Sequence, residues 1–132
     1  MRNLAWFVFI VIIVGLAAAW SRPRYEGPLL GTWSCVVCFS RFDTTYRADG
    51  VVEFSPRVFG GSPAYGTYEV DETHSVPVLI TTERVGNRVS KSYCIWKITR
   101  EGKLRTESFE PGKPIPTKFS QDPNPLLYTR VP

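Results

Sequence analysis

Hydrophobic and polar positions alternate in short runs along residues 30–131. No window of useful length repeats apolar residues at intervals of three and four, the spacing that would indicate an amphipathic helix. Turn-forming Gly, Pro, Asn and Asp residues separate the runs, as in proteins built from short strands. The predicted strands cover residues 30–39, 44–47, 51–55, 65–70, 76–83, 93–99, 103–109 and 126–131. The pattern therefore predicts an all-β domain.

The connections between these runs favour antiparallel pairing, because a parallel pair needs a crossover of a dozen or more residues, usually a helix. Asp49-Gly50 is a strong hairpin signal, and Gly86-Asn87 marks a further turn. Closing the sheet would remove its exposed edges, and about eight strands suit a small closed barrel. We expect an antiparallel β-barrel of about eight strands over residues 29–132, either filled by side chains or wide enough for one small ligand.

The apolar faces of the alternating runs indicate which side chains point into the barrel. Trp33 belongs to this face in the first run, and the candidate ligand-facing residues of the interior are Val37, Phe39, Ile80, Trp96 and Ile98. The same side chains would equally fill a solid core. Exposure of both Trp33 and Trp96, or a helix through residues 76–99, would contradict this register.

An unbroken apolar segment precedes the domain. Residues 4–20 read LAWFVFIVIIVGLAAAW, with Arg2 before them and Ser21-Arg22-Pro23-Arg24 after them. A helix of this length spans about 25 Å, slightly less than a hydrocarbon core of about 30 Å. The segment is also slightly longer than the apolar region of a signal peptide, which has about 7 to 15 residues, although Ala17-Ala18-Ala19 would suit signal peptidase.

We therefore expect residues 1–21 to form one apolar helix, either a signal peptide or, as we favour, an uncleaved transmembrane anchor. Residues 22–28 are rich in Pro, Gly and charge and form the predicted linker to the barrel. The positive charges that flank the helix are balanced and do not decide its orientation. A secretory signal would place the barrel on the exported side of a membrane or in the cell envelope, which is our expectation.

Several short motifs resemble a small bacterial lipocalin-like domain family, abundant in planctomycetes. Gly31-Thr32-Trp33 matches the Gly-x-Trp signature of lipocalins and the wider calycin group. Gly66-Thr67-Tyr68 is similar to a central strand of that family, and residues 126–130 to its last strand, which ends in Arg. Pro116-Thr117-Lys118-Phe119 resembles a further segment of the family, but Ile115 stands where Arg is expected.

The resemblance covers nearly all of residues 30–131. It implies a calycin-like barrel in which Trp33 closes one end and Arg130 packs over the indole. A guanidinium over an indole face contributes about 0.5 to 2 kcal/mol, depending on desolvation. The implied role of this pair is structural, and the resemblance implies little about function.

The charge pattern argues against a nucleic-acid partner. The chain has 16 basic and 12 acidic residues, a net charge of +4, and no block of five or more basic residues. A nucleic-acid binder is expected to cluster Lys and Arg on one face and to interleave aromatic residues among them. We expect a mildly basic surface and no nucleic-acid site.

The three cysteines do not form a disulfide framework, because an odd number cannot pair completely within one chain. Cys35 and Cys38 have redox or metal spacing, but residues three apart on one strand point to opposite faces. They are interpreted as small apolar residues of a strand. Cys94 could still pair with one of them across the barrel.

No catalytic constellation is evident in the sequence. The only histidine, His74, lies in a polar turn beside Asp71 and Glu72, where a solvated side chain is the ordinary interpretation. Gly60-Gly61 lacks the following Lys-Ser or Lys-Thr of a phosphate loop. We expect no metal, no cofactor and no enzymatic activity.

Two functions remain for the predicted barrel. We favour an interaction or scaffold module of a membrane assembly, with a protein partner. The alternative is a barrel that binds a small apolar ligand in its interior. An apolar cavity of roughly 300 Å³ or more would favour the ligand, and a filled interior would favour the module.

Overall fold

The computed structural model describes residues 25–56 and 63–132, which form a closed antiparallel barrel of eight strands. Each strand pairs with the next along the chain, and β8 pairs with β1. The predicted all-β class and closed barrel are confirmed. The strands are β1 (Gly31–Val37), β2 (Ser40–Tyr46), β3 (Val51–Pro56), β4 (Ala64–Asp71), β5 (Val78–Val85), β6 (Arg88–Ile98), β7 (Leu104–Ser108) and β8 (Leu127–Val131).

The apolar helix predicted for residues 1–21 lies outside the described residues. Within residues 25–56 and 63–132, no helix is long and apolar enough to cross a membrane. The chain is already packed on the barrel at Tyr25, whose ring contacts Tyr68 edge-on at 6.0 Å between centroids. Tyr25 also donates its backbone N–H to the carbonyl oxygen of Ala48, at 3.1 Å. Part of the predicted linker therefore packs on the barrel, since Tyr25 lies four residues before Leu29.

Two strands begin several residues earlier than the sequence pattern predicts. Strand β2 begins at Ser40 and β6 at Arg88, in each case directly after a two-residue turn. The first part of β6, from Arg88 to Ser92, is exposed and polar except for Val89, so it carries no hydrophobic alternation. Pairing with β5 from Thr81 to Val85 holds this segment in the sheet through backbone hydrogen bonds, which do not depend on side-chain hydrophobicity.

The up-and-down topology gives the barrel two distinct ends. The closed end is where β1 begins, and the turns β2–β3, β4–β5 and β6–β7 lie there. The open end is where β1 ends, with the turns β1–β2 and β5–β6. The buried core belongs to the half of the barrel nearer the closed end and contains Leu29, Trp33, Tyr46, Val52, Tyr68, Leu79, Trp96 and Leu104.

Trp33 and Arg130 seal the closed end. The indole of Trp33 is fully buried, and its Nε1 donates to the carbonyl oxygen of Leu29 at 2.8 Å. The guanidinium carbon of Arg130 lies 4.2 Å from the centroid of the Trp33 ring. Arg130 also donates to the carbonyl oxygens of Pro28 and Leu30, each at 2.7 Å. The last strand is thereby fixed to the first strand and to the residues that lead into it.

Only a glycine suits position 31, which lies next to Trp33 and Arg130. Its φ of +112° is a backbone conformation that L side chains rarely adopt. A Cβ at this position would also lie 3.0 Å from Nη1 of Arg130. Two features therefore explain the glycine of the Gly31-Thr32-Trp33 motif: its positive φ angle and the close approach of the Arg130 guanidinium to the first strand.

Two of the five residues predicted to face the interior do not. Phe39 lies in the β1–β2 turn and is fully exposed, because the first strand ends at Val37. Ile80 lies on the outer face, since its neighbour Leu79 belongs to the core and pairs with Val70 and Cys94. The error at Ile80 is a shift of one residue, which moves every side chain of a strand to the opposite face.

The other three residues have inward orientations with different surroundings. Trp96 is buried in the core, and Ile98 packs against it. Val37 follows Trp33 and Cys35 on the inward face of β1, but it lies at the open end and is 43% exposed. In the part of the chain that the structure describes, the barrel is therefore filled near its closed end and open at the other.

The long connection between β7 and β8 is fixed to the outside of the barrel by Phe119 and Ser120. The Phe119 ring lies 4.8 Å from Nζ of Lys97 and 5.0 Å from the guanidinium carbon of Arg105. Ser120 donates its backbone N–H to the carboxylate of Glu107 and accepts a hydrogen bond from Arg105 at 2.9 Å. These contacts occupy the outer face of β6 and β7.

Candidate functional site: the open end of the barrel

The open end forms a mouth, which we define as the inward-facing residues Val37, Phe42, Ser90, Ser92 and Ser108. Two residues that pair across neighbouring strands lie on the same face of the sheet. A residue that pairs with an inward-facing residue of the core therefore also faces inward. All five are exposed to solvent, with Val37 at 43% and Phe42 at 41%. Inward side chains of a completely filled barrel would be buried. The interior is therefore accessible to solvent from this end.

The register of the sheet supports this orientation. Ser92 pairs with Thr81, which pairs in turn with Tyr68 of the core. Ser108 pairs with Cys94, which packs against the core. The mouth is amphipathic, because hydroxyl groups line the β6 and β7 side and apolar side chains line the β1 and β2 side.

The β1–β2 hairpin ends in exposed apolar side chains on both of its faces, which we together call the hairpin tip and define as Val36, Val37, Cys38, Phe39 and Phe42. Phe39 is 102% exposed and Val36 is 69% exposed. The turn residues Cys38 and Phe39 have φ values of 50° and 66°. A two-residue turn with two positive φ angles normally contains Asn-Gly, because other L residues are strained there. A strained turn that presents a fully exposed Phe indicates a functional surface.

The hairpin tip is expected to lower the stability of the fold. Replacing Cys38 by Asn and Phe39 by Gly together should raise the free energy of unfolding by about 1 to 2 kcal/mol, since left-handed backbone costs ordinary residues that much. Urea unfolding of the full-length chain in detergent would measure the change. A double variant less stable than the parent would show that Phe39 makes stabilising contacts.

Strand β1 extends beyond its pairing with β8. The two strands pair only from Thr32 to Ser34, whereas β1 continues to Val37. No strand of the described residues pairs with the edge of Cys35–Val37 that faces away from β2. A cavity of about 360 Å³ follows the seam between β1 and β8 and is lined by residues that include Cys35, Val36, Arg41 and Leu127. Beyond Ser34 the two strands thus separate around this cavity, although Tyr128 of β8 still hydrogen-bonds Cys35.

The three thiols have different environments, and all are free. Burial raises the pKa of Cys94 to about 12. Burial also raises the pKa of Cys35, against the opposing effect of a hydrogen bond with Tyr128. Cys38 is exposed at the hairpin tip. Cys38 is therefore the accessible thiol of the three.

Iodoacetamide at about pH 8 should alkylate Cys38 at least about tenfold faster than Cys35 or Cys94, because buried thiols carry little thiolate. Peptide mass spectrometry after timed quenching would give the three rates. Labelling of Cys94 as fast as that of Cys38 would mean that the interior is more open than the packing around Leu79 and Trp96 indicates.

The polar turn at the closed end carries no recognisable catalytic arrangement. His74 Nε2 lies 3.1 Å from Oδ2 of Asp71, and both side chains are more than a third exposed. Hydrogen bonds from the side chain and backbone of Thr73 hold the pKa of Asp71 below its usual value. A cavity of about 530 Å³ beside this turn is lined partly by Tyr25 and Tyr68. The described residues contain no group of three or more His, Cys, Asp or Glu side chains that could hold a metal ion.

The residues predicted from the sequence thus separate into three groups. Trp33 and Arg130 meet at the closed end, and Trp96 and Ile98 lie in or against the core. Val37 and Phe39 lie at the open end. Ile80 belongs to none of these groups, because it lies on the outer face of the barrel. The hairpin residues Val36, Cys38 and Phe42 were not identified as candidates. Their signal is the unbroken apolar run from Cys35 to Phe39, because a strand with one polar face cannot bury every residue of such a run.

A scan against protein-family models, a search of curated proteins and a search of solved structures each returned no match to this chain.

Proposed function

We propose that this protein is a non-catalytic interaction module, a lipocalin-like β-barrel that is anchored in a membrane or exported and that binds a protein partner through its hairpin tip. The observation that carries the proposal is the full exposure of Phe39 on a strained turn. Monomeric soluble proteins rarely expose contiguous apolar patches without a use, and such patches commonly mark sites of protein–protein contact.

The lipocalin-like assignment is supported by the closed end. The Arg130 guanidinium over the Trp33 indole is the contact that the sequence resemblance implies, and it joins positions almost a hundred residues apart. The positive φ of Gly31 explains the first residue of the Gly-x-Trp motif. These contacts concern the construction of the barrel and agree with a structural role for the pair.

The anchor and the binding surface are expected to lie at opposite ends of the barrel. Tyr25, the first described residue, packs at the closed end, beside Ala48 and Tyr68. The hairpin tip lies at the open end, about one strand length away. An apolar helix over residues 4–20, in a membrane of the cell envelope with the barrel on the exported side, would leave the tip clear of its own linker.

Site-specific photocrosslinking would test the hairpin tip as a binding surface. A full-length chain with p-benzoylphenylalanine at position 39 should give one discrete adduct when irradiated in native membranes. The same probe at Lys103, an exposed residue of the closed end, is the control and should give none. The adduct should also weaken when Val36→Ser is added, because Val36 is an exposed apolar residue of the hairpin tip that does not belong to the mouth. Equal adducts from both positions, or none from position 39, would contradict the proposal.

A second candidate function, binding of a small apolar ligand, is favoured by the mouth. The inward serines of β6 and β7 are exposed there, opposite the apolar side chains of Val37 and Phe42. An amphipathic molecule could place its apolar part on one side and its polar group on the other. The half of the barrel nearer the closed end is filled by the core, so such a molecule could enter only the half nearer the mouth.

Neighbouring residues of β6 offer a matched test of the second candidate. Ser92 faces the mouth and Lys91 faces outward, since they alternate on one strand. Saturable binding of the apolar fluorophore N-phenyl-1-naphthylamine should be lost in Ser92→Phe and retained in Lys91→Phe. Absence of saturable binding to the parent chain would exclude this apolar probe as a ligand and leave the interaction module as the favoured function.

A further inference from the structure

We propose that the seam between β1 and β8 is a binding site for a small carboxylate that carries an apolar group. The site is the cavity of about 360 Å³ described above, which we call the seam cavity and define by its lining residues Ser34, Val36, Arg41, Leu127 and Thr129. Pockets of about 300 Å³ or more are large enough for small ligands. The inference goes beyond the proposed function, because such a ligand needs no protein partner.

The register of the sheet brings these side chains to the outer face of the barrel. Ser34 follows the inward-facing Trp33 on β1, so Ser34 and Val36 face outward. Ser34 pairs with Thr129 of β8, and Val36 pairs with Arg41 of β2. Paired residues lie on one face of a sheet. Arg41 and Thr129 therefore lie on the same outer face, on either side of β1.

The guanidinium of Arg41 is held in place through one of its three nitrogens. Its Nε donates to Oγ of Ser34 at 2.8 Å and to Oδ1 of Asp43 at 3.1 Å. Asp43 is almost fully buried, whereas 43% of the Arg41 side chain is exposed. No residue that the structure describes accepts a hydrogen bond from the two terminal nitrogens of Arg41. These nitrogens are therefore available to a ligand on a side chain that is already oriented.

The polar side chains of the seam cavity can all donate hydrogen bonds, which favours an anion. The terminal nitrogens of a guanidinium carry N–H groups spaced to bind both oxygens of one carboxylate. The Ser34 hydroxyl accepts its bond from Arg41 and keeps its own hydrogen to donate. Thr129 is exposed and carries a further hydroxyl on the β8 side. An acidic ligand would thus meet a charged donor and two hydroxyl groups.

Apolar side chains of the same cavity favour an organic acid over an inorganic anion. Val36 is 69% exposed, and Leu127 of β8 lines the same cavity and is half-buried. A ligand that binds Arg41 through its carboxylate could cover both side chains with an apolar group, which removes apolar surface from water. Inorganic phosphate could bind Arg41 but would leave these side chains in water. The cavity therefore suits a small apolar acid better than phosphate.

3-Methylbutanoate is a probe with this chemistry, and the uncharged 3-methylbutanamide is its matched control ligand. Nitrogen-15-labelled full-length chain in detergent would be titrated at about pH 7, and NMR would follow the backbone signals of Ser34 and Thr129. We expect saturable shifts with a dissociation constant of about 1 to 10 mM, which is ordinary for so few non-hydrogen atoms. The amide and inorganic phosphate should each bind at least about tenfold more weakly. Equal or tighter binding of either, or shifts that do not saturate, would overturn the proposal.

Thr129→Glu tests the location and leaves the contacts of Arg41 with Ser34 and Asp43 in place. A carboxylate at this exposed position would compete with 3-methylbutanoate for the terminal nitrogens of Arg41. The dissociation constant should therefore rise about tenfold or more. Thr67→Glu, at an exposed position of β4, is the matched control and should leave the constant unchanged. Equal effects of the two variants would mean that net charge, and not the seam cavity, determines binding, and would overturn the proposal.

Arg41→Gln tests the guanidinium directly. The affinity for 3-methylbutanoate should fall about tenfold or more, because an uncharged amide cannot replace a bidentate guanidinium. Arg47→Gln removes an arginine that is paired with Glu53 and lies outside the cavity, and it should bind as the parent does. Binding by Arg41→Gln at the level of the parent would overturn the proposal. If Arg41→Gln does not fold, Thr129→Glu decides the question, since it retains Arg41.

Discussion

Replacing Trp33 with alanine is expected to lower the free energy of unfolding by about 3 to 5 kcal/mol, because a fully buried indole leaves a cavity that the barrel cannot fill. The substitution also leaves the carbonyl oxygen of Leu29 without the hydrogen bond from Nε1. Arg130→Ala should cost less. Its side chain is exposed, and water can replace part of what the guanidinium contributes at the closed end.

Urea midpoints of the full-length variants in detergent would rank the two changes. Val89→Ala, at an exposed valine, is the control and should shift the free energy by no more than about 0.5 kcal/mol. A larger loss for Arg130→Ala than for Trp33→Ala would mean that the Arg130 bonds to Pro28 and Leu30, and not the indole, hold the closed end together.

Gly66→Ala is expected to destabilise the barrel by about 1 to 3 kcal/mol, the usual cost of forcing additional volume into a packed site. A Cβ at Gly66 would overlap the carbonyl oxygen of Thr82 and approach the Cα of Glu83 on the paired strand β5. These are backbone atoms, so relief requires β4 and β5 to separate. No rotation of a side chain can accommodate the methyl group.

Thr67→Ala is the matched control for Gly66→Ala, because Thr67 is the next residue of β4 and is exposed. Its cost should stay within about 0.5 kcal/mol. Equal stability of Gly66→Ala and the parent in thermal unfolding would indicate that β4 and β5 are farther apart at this position than the structure shows.

Alternation along the chain was sufficient to predict the class of fold. Eight apolar runs separated by turn residues leave an antiparallel sheet as the economical arrangement, and closure follows from the need to pair its edges. Inward positions were predictable where alternation is clean, as at Trp33 of β1, which stands between Thr32 and Ser34. The Gly31-Thr32-Trp33 motif and the late Arg130 also indicated which side chains meet at the closed end.

Alternation fails where apolar residues are consecutive. Val78, Leu79 and Ile80 are all apolar, so the sequence allows either face to be the inner one. Val78 and Ile95 pair on the outer face of the barrel and are almost fully buried. The outer face is therefore apolar here, whereas alternation assumes that it is polar. Pairing of Leu79 with Val70 and Cys94 decides the register at this site.

The candidate site depended on tertiary structure for a related reason. The sequence shows that Cys35–Phe39 is an apolar run, but it does not show whether other parts of the chain cover these residues. Divergence of β8 from β1 beyond Ser34 leaves the hairpin tip exposed. The sequence by itself determined most of each strand, because strands follow from local periodicity and turn chemistry, and the family resemblance implied which residues close the barrel. Only the tertiary structure decided which end stays open, because that depends on where strands distant in sequence stop pairing.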